Sequence, residues 1–231
     1  MSSASVFIVD DDLCVRHSLS QLLQTEHLKT ACFASADDFL AACGPSPDGC
    51  LILDVDMPGM SGLQLQDELA LRHIHLPIIF LTGFADIPMA VRAMRKGAVD
   101  FMAKPVNGKS LLERVHSALE TNRLQKQAGA ARSLFEGRLL KLTRRERQVL
   151  MLALSSMPNK TIAKELNISV RTIEGHRAQI FLKLDINSLI ELAQQATIVG
   201  MPLTDIASLP QTQQTSVRTV RLTPAMGHVH V

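Results

Sequence analysis

Four short apolar runs each end on a charged or hydroxyl side chain, and this constrains the fold more than any other feature of the chain. Val6-Phe-Ile-Val9 runs into Asp10-Asp-Asp12, Cys50-Leu-Ile-Leu53 into Asp54, and Pro77-Ile-Ile-Phe-Leu81 into Thr82; the run 98–102 ends near Lys104-Pro105. Short runs that are apolar throughout, rather than alternating, fit strands buried on both faces in a parallel sheet covered by helices. A further strand is predicted at about 30–33. Helical patterns lie between the strands. Val15, Leu19, Leu22 and Leu23 share one stripe; Ser35 can cap a helix carrying Phe39 and Leu40; Leu63, Leu65, Leu69 and Leu71 follow the breakers Gly59 and Gly62. Further helices are predicted at 87–96, with Val91 and Met94 inward, and at 108–120. Five such units in about 120 residues make a doubly wound five-stranded parallel sheet. Ligands of such sheets bind beyond the carboxyl ends of the strands. Asp10, Asp11, Asp12, Asp54, Thr82 and Lys104, far apart in sequence, are therefore predicted to meet at one edge.

Several carboxylates gathered at one edge repel one another. A hard divalent cation relieves that repulsion, and Mg²⁺ takes oxygen ligands while keeping several waters. Beside such a cation Asp54 suits the part of a nucleophile toward a phosphoryl group. Lys104 offers an ammonium to a phosphoryl oxygen or to Asp54, and Thr82 a hydroxyl. The chain has no GxxxxGK[ST] loop and no GxGxxG after the first strand, so P-loop hydrolysis and dinucleotide binding are unsupported.

The second half has a different charge. Residues 1–120 carry nine Lys/Arg against fifteen Asp/Glu, a net of −6, and residues 121–231 carry fifteen against seven, a net of +8. An anionic partner, nucleic acid first, suits the basic half. Residues 122–141 read as a continued helix, or a helix and hinge, with Leu119, Leu124 and Leu134 as spaced apolar positions. Thr143 and Glu146 form a capping box. Four helices follow at about 144–155, 160–166, 170–184 and 188–197, and the middle two, joined by Asn167-Ile-Ser169, form a helix-turn-helix. In the helix at 170–184, Thr172, Ile173, His176, Ile180, Phe181 and Leu184 cover the core side, while Arg171, Glu174, Gly175, Arg177 and Ala178 face outward. Arg171 and Arg177 can reach phosphates or guanines, Glu174 a cytosine amino group, and Gly175 permits close approach. Thr172 is also counted among the DNA-facing residues, and Lys160, Lys164 and Lys183 are predicted to contact the DNA backbone.

Two resemblances rest on these motifs. Val9-Asp10-Asp11-Asp12, Asp54-Val-Asp-Met-Pro-Gly-Met-Ser-Gly62, Thr82-Gly83 and Lys104-Pro105 make residues 5–120 closely similar to the receiver domain of two-component response regulators, with its chemotaxis-regulator-like fold. The resemblance implies that Asp54 accepts a phosphoryl group from a sensor histidine kinase. It implies that Asp11, Asp54 and the carbonyl of Asp56 hold Mg²⁺, with Asp10 assisting through water, and that Thr82 and Lys104 sense the phosphoryl group. Phe101 matches the family's switch aromatic. Leu142-Thr-Arg-Arg-Glu146-Arg-Gln-Val-Leu150, Asn159-Lys-Thr-Ile-Ala163 and the stretch from Ser169 through His176-Arg177 to Lys183-Leu184 resemble the LuxR-type DNA-binding domain. Together they resemble the FixJ/StyR group. That group implies release of an inhibitory contact on phosphorylation, and a homodimer through the helix at 87–96 and the strand after it, with Ile87, Val91 and Arg95 on its surface. Four places depart from the pattern: the acidic Asp56, whose carboxylate can alter the local field or kinase preference; Phe84 in place of a frequent His; Ser155-Ser-Met-Pro158; and Asp185 in place of a frequent Gly.

The expected domains are a receiver at 1–121, a helical linker at 122–141, a DNA-binding domain at 142–199 and a disordered tail at 200–231, where His228 and His230 are too few for a metal site. The expected function is a phosphorylation-dependent transcription regulator, an activator, that binds promoter DNA and works with RNA polymerase. The alternatives are a constitutive DNA-binding regulator using the receiver only to dimerise, and a small Mg²⁺-dependent phosphatase-like enzyme. Cys14, Cys32, Cys43 and Cys50 form no CxxC and read as free thiols. No run of 18 apolar residues suggests a membrane span, and the start of the chain does not read as a signal peptide, so a cytoplasmic protein is expected.

Overall fold

The computed structural model describes residues 5–83, 86–202, 204 and 206. Phe84 and most of the tail after Gly200, with His228 and His230, lie outside these described residues. The chain divides into two compact units, 1–128 and 129–231.

In the first unit, strands β1 (Ser5–Val9), β2 (Lys29–Phe33), β3 (Gly49–Asp54), β4 (Ile78–Thr82) and β5 (Asp100–Ala103) form one parallel sheet in the order β2-β1-β3-β4-β5. The chain alternates these strands with helices α1 (Leu13–Thr25), α2 (Ala36–Ala42), α3 (Gly62–Leu71), α4 (Ile87–Arg95) and α5 (Gly108–Leu140). Every residue of β3 and β4 is buried, the polar Asp54 and Thr82 at their ends included, whereas β2 is an edge strand with exposed positions. Successive side chains point to opposite faces of the sheet. Val9, Leu51, Leu53 and Phe80 therefore pack with Phe39 of α2 and Leu65 and Leu69 of α3. Val6, Ile8, Ile52, Ile79 and Leu81 pack on the other face with Leu19 and Leu23 of α1 and Leu111, Val115 and Ala118 of α5. Each such fully buried side chain stabilises the fold by about 1.5–3 kcal/mol.

Two glycines allow approaches that any side chain would block. A Cβ on Gly49 would lie 1.7 Å from the carbonyl oxygen of Ser5, and one on Gly62 would lie 2.1 Å from that of Asp54. Gly62 thus lets α3 start directly against the end of β3, where Ser61 and Gln64 close a capping box.

The second unit takes the last turns of α5 with α6 (Arg144–Leu154), α7 (Asn159–Glu165), α8 (Val170–Leu184) and α9 (Leu189–Ile198). Phe135 and Leu139 of α5 join Val149, Leu150, Ile162, Ile173, Ile180, Leu184 and Leu192 in one core. Thr143, Ser169 and Ser188 each cap the helix that follows, accepting a hydrogen bond from the backbone N–H three residues on.

Helix α5 runs on to Leu140, the continued helix that the pattern across 122–141 predicts, because 121–135 offers no breaker stronger than isolated glycines. Two sequence expectations need correction. Val91 and Met94 are not inward: each is 44% exposed, and Ala93 fills the buried position of α4. Thr172 belongs to the exposed side of α8, with Ile173 buried beside it.

Candidate functional site

The reversal of strand order lies between β1 and β3, and both strands end there on aspartate. Val9 pairs with Leu53, so Asp10 and Asp54 leave the sheet side by side. Both are buried, at 2% and 5% exposure, whereas Asp11 is exposed. One carboxylate oxygen from each of Asp10, Asp11 and Asp54 lies within 4.8 Å of the others. The loop that presents them is pinned locally. The Asp12 backbone N–H donates to Asp10 Oδ1 at 2.9 Å, Asp12 Oδ1 accepts from Cys14 N at 2.7 Å to cap α1, and Arg16 Nη1 donates to the Asp10 carbonyl at 2.7 Å. Arg16 has no signal in the sequence beyond its place one helical turn into α1.

Lys104 closes the pocket from the end of β5. Its Nζ lies 2.7 Å from Asp10 Oδ2 and 3.2 Å from Asp54 Oδ1, and its backbone N–H donates to the Thr82 carbonyl at 2.7 Å. Asp54 Oδ1 also accepts from the Val55 N–H at 2.9 Å. Burial pushes the Asp54 carboxyl above the usual carboxylate range; the Lys104 ammonium opposes this and the Asp10 charge adds to it. Burial acts to lower the Lys104 pKa, but hydrogen bonding and attraction to Asp10 and Asp54 outweigh it and hold the group above its ordinary value. Asp54 is thus a desolvated carboxylate beside a fixed ammonium, and a nucleophile in water would be more strongly solvated.

Thr82 is fully buried at the end of β4. Its Oγ1 donates to Asp56 Oδ2 over 3.4 Å. The sequence marks the Asp56 carboxylate as a departure that can alter the local field; the structure gives it a specific partner, the Thr82 hydroxyl. Phe101 on β5 is half-buried and packs on Phe80, with ring centroids 5.9 Å apart at 38°. On α4, Ile87 is 80% exposed, and Val91, Met94 and Arg95 are also exposed.

On the second unit, Lys160, Lys164, Arg171, Thr172, Glu174 and Gly175 are all exposed. Two predicted DNA contacts have partners within the fold. Arg177 donates to Asn159 Oδ1 at 3.3 Å and lies 5.8 Å from the centre of the Phe181 ring, tying α8 to the start of α7. Lys183 donates to both oxygens of the buried Glu146, at 2.8 and 2.7 Å. Burial acts to raise the Glu146 pKa, but Lys183 and the Thr143 backbone and hydroxyl overcome it and hold the carboxyl below the usual range. Asp185 ends α8 in the left-handed region at φ 57°, the conformation for which glycine is ordinarily favoured. Arg138 of α5 supports it, donating to Asp185 Oδ2 at 3.0 Å and to the Leu184 carbonyl at 3.3 Å.

The fold and the two sites define a class: an α/β signal-receiving domain joined to a helix-turn-helix domain. Residues 6–116 match the family model of the response regulator receiver domain, and residues 140–196 match that of the luxR family of bacterial regulatory proteins. Nodulation protein W of Bradyrhizobium diazoefficiens is 39% identical over 220 residues, covering 94% of this chain and 92% of that protein. Transcriptional regulatory protein FixJ of Azorhizobium caulinodans is 41% identical over 206 residues, covering 89% and 98%. The solved structure of the response regulator StyR superposes with a TM-score of 0.79 at 40% identity, covering 85% of this chain and 99% of that one. The chain belongs to the two-component response regulators that join a receiver to a LuxR-type DNA-binding domain, and it is a transcription regulator of that family. Among the described residues, no helix is long and apolar enough to cross a membrane.

Proposed function

We propose that Asp54 is the phosphoacceptor of this regulator and that its phosphorylation by a sensor histidine kinase increases binding to promoter DNA. The observation that carries this is the meeting of Asp10, Asp11 and Asp54 at one strand edge with Lys104 beside them. Asp54 Oδ1 is engaged by Val55 and Lys104, and among the described residues no hydrogen bond engages Oδ2. Oδ2 is therefore the oxygen that attacks: its bond to phosphorus forms as the phosphorus–nitrogen bond of the kinase phosphohistidine breaks. Lys104 then holds a phosphoryl oxygen, and the Thr82 hydroxyl donates to another.

The three carboxylates form an all-oxygen set suited to a hard divalent cation. Asp10, Asp11, Asp54 and the Asp56 carbonyl would hold Mg²⁺, which neutralises phosphoryl charge when bound. Phe101 and Thr82 then carry the change to the α4–β5 face. There the exposed Ile87, Val91, Met94 and Arg95 favour a homodimer.

We take 1–121 as the receiver, 122–141 as the linker and 142–199 as the DNA-binding domain of a cytoplasmic activator that acts with RNA polymerase and has no enzymatic turnover of its own. Arg171, Thr172, Glu174 and Gly175 face the major groove, and Lys160 and Lys164 the phosphates. Arg177 and Lys183 act from their intramolecular positions, as supports of α8.

The test is the affinity for promoter DNA with and without a phosphoryl donor, in the wild type and in Asp54→Asn. The wild type is expected to bind more tightly when phosphorylated, and D54N to show no difference. Equal binding by unmodified, phosphorylated and D54N protein would overturn the reading.

A further inference from the structure

We infer that Asp56 is a positioning residue that competes with the phosphoryl group for the Thr82 hydroxyl and so sets how readily the receiver switches. The inference rests on the phosphoacceptor reading of Asp54. Thr82 is fully buried, and its hydroxyl carries a single proton to donate. That proton is directed at Asp56 Oδ2 over 3.4 Å. Asp56 stands two residues past Asp54 on the loop that Gly62 draws close, its backbone among the proposed metal ligands and its side chain out at the pocket rim. A phosphoryl oxygen on Asp54 needs the same proton. The hydroxyl cannot serve both acceptors, so any bond to Asp56 must be given up for the switched state to form. At 3.4 Å the bond is long for a hydroxyl–carboxylate pair, so it biases the equilibrium without locking it. A neutral or basic side chain at position 56 would make no such claim on Thr82. The acidic residue therefore raises the threshold for activation and leaves the metal ligand set intact, because only the carbonyl of residue 56 is needed there.

The bias is linked to ligand affinity: whatever stabilises the unswitched state weakens binding of a phosphoryl mimic by the same factor. The full chain is titrated with beryllofluoride and Mg²⁺, and the Thr82 and Gly83 amide resonances are followed. Asp56→Ala is expected to lower the half-saturating beryllofluoride concentration by about three- to ten-fold, the worth of one ordinary hydrogen bond, because the long contact falls short of a strong charge-assisted one. Asp56→Asn keeps an acceptor oxygen without the charge and is expected to lower it less.

The carboxylate also repels the phosphoryl mimic directly, and this acts whether or not a hydroxyl is present. The D56A comparison is therefore repeated in Thr82→Val, which keeps the side-chain shape, and in Thr82→Ala. Loss of most of the D56A effect in both backgrounds supports the competition. An unchanged half-saturation in D56A, or an effect of full size without the hydroxyl, overturns it. A wild type that gives no response to beryllofluoride would instead strike at the phosphoacceptor reading itself.

Discussion

The two charged regions of this molecule are built in opposite ways. In the receiver, Asp10 and Asp54 are buried and share one ammonium, that of Lys104, within 3.2 Å. On α8, Arg171 and Glu174 are exposed, as are Lys160 and Lys164 on α7. Buried charges interact strongly over short distances because little water screens them. They suit a site where one bond forms and one proton is reassigned. Exposed charges are screened within about 8–10 Å and gain mainly by displacing counterions from a polyanion. The same residue types therefore suit local chemistry in one unit and extended recognition in the other, as the proposed function requires. Lys183 is the exception that tests the contrast, because it lies on α8 and yet serves the buried Glu146.

The largest expected effect comes from breaking that exception. Lys183→Ala leaves the Glu146 carboxylate buried without its ammonium and is expected to destabilise the second unit by about 2–3 kcal/mol. Hydrogen exchange of the amides in α6 reads this unit by itself. The pH dependence has a defined sign. Because folding holds the Glu146 carboxyl below its ordinary value, the stabilisation is complete above the unfolded carboxylate pKa of about 4.3 and is lost as pH falls through the folded value. K183A should flatten this acid limb. If it instead lowers DNA affinity with no change in exchange, Lys183 is a DNA contact after all.

A smaller effect is expected from Arg171→Ala. Loss of an exposed contact should cost about 1–3 kcal/mol in DNA affinity if a base is read. If only a phosphate is held, the slope of log affinity against log salt should fall by about one unit. Thermal stability should not move in either case, in contrast to K183A. Smallest of all is Asp185→Gly. Glycine relieves the left-handed conformation but gives up the Arg138 contact, so the net change should stay within about 1 kcal/mol, read from the midpoint of urea unfolding. A larger loss would mean that Arg138 and Asp185 hold the end of α8 far more firmly than an exposed pair normally does.

Much of this is legible in the sequence. The strand-ending residues Asp10, Asp54, Thr82 and Lys104 were read from apolar runs and the side chain that stops each one. Thr143, Ser169 and Ser188 were visible as helix starts for the same reason: caps act within a few residues. What failed to show depends on distant neighbours. Periodicity placed Val91 and Met94 inward, but a nine-residue helix on the sheet edge buries only Ala93. Lys183 reads as a phosphate contact from its residue type and helix; its pairing with Glu146, 37 positions away, carries no local signal. The acidic Asp56 stands out in the sequence as a departure, but its partner does not, since Thr82 lies 26 positions on.

By itself, then, the sequence determined the alternation of strands and helices, the placement of Asp54 at a strand end and the helix-turn-helix, because each is written in patterns repeating over two to four residues. The tertiary structure alone decided which of these charges are buried, which cation each carboxylate receives, and which helical faces remain exposed. Those outcomes depend on desolvation and through-space pairing between segments tens of residues apart, which no local period encodes.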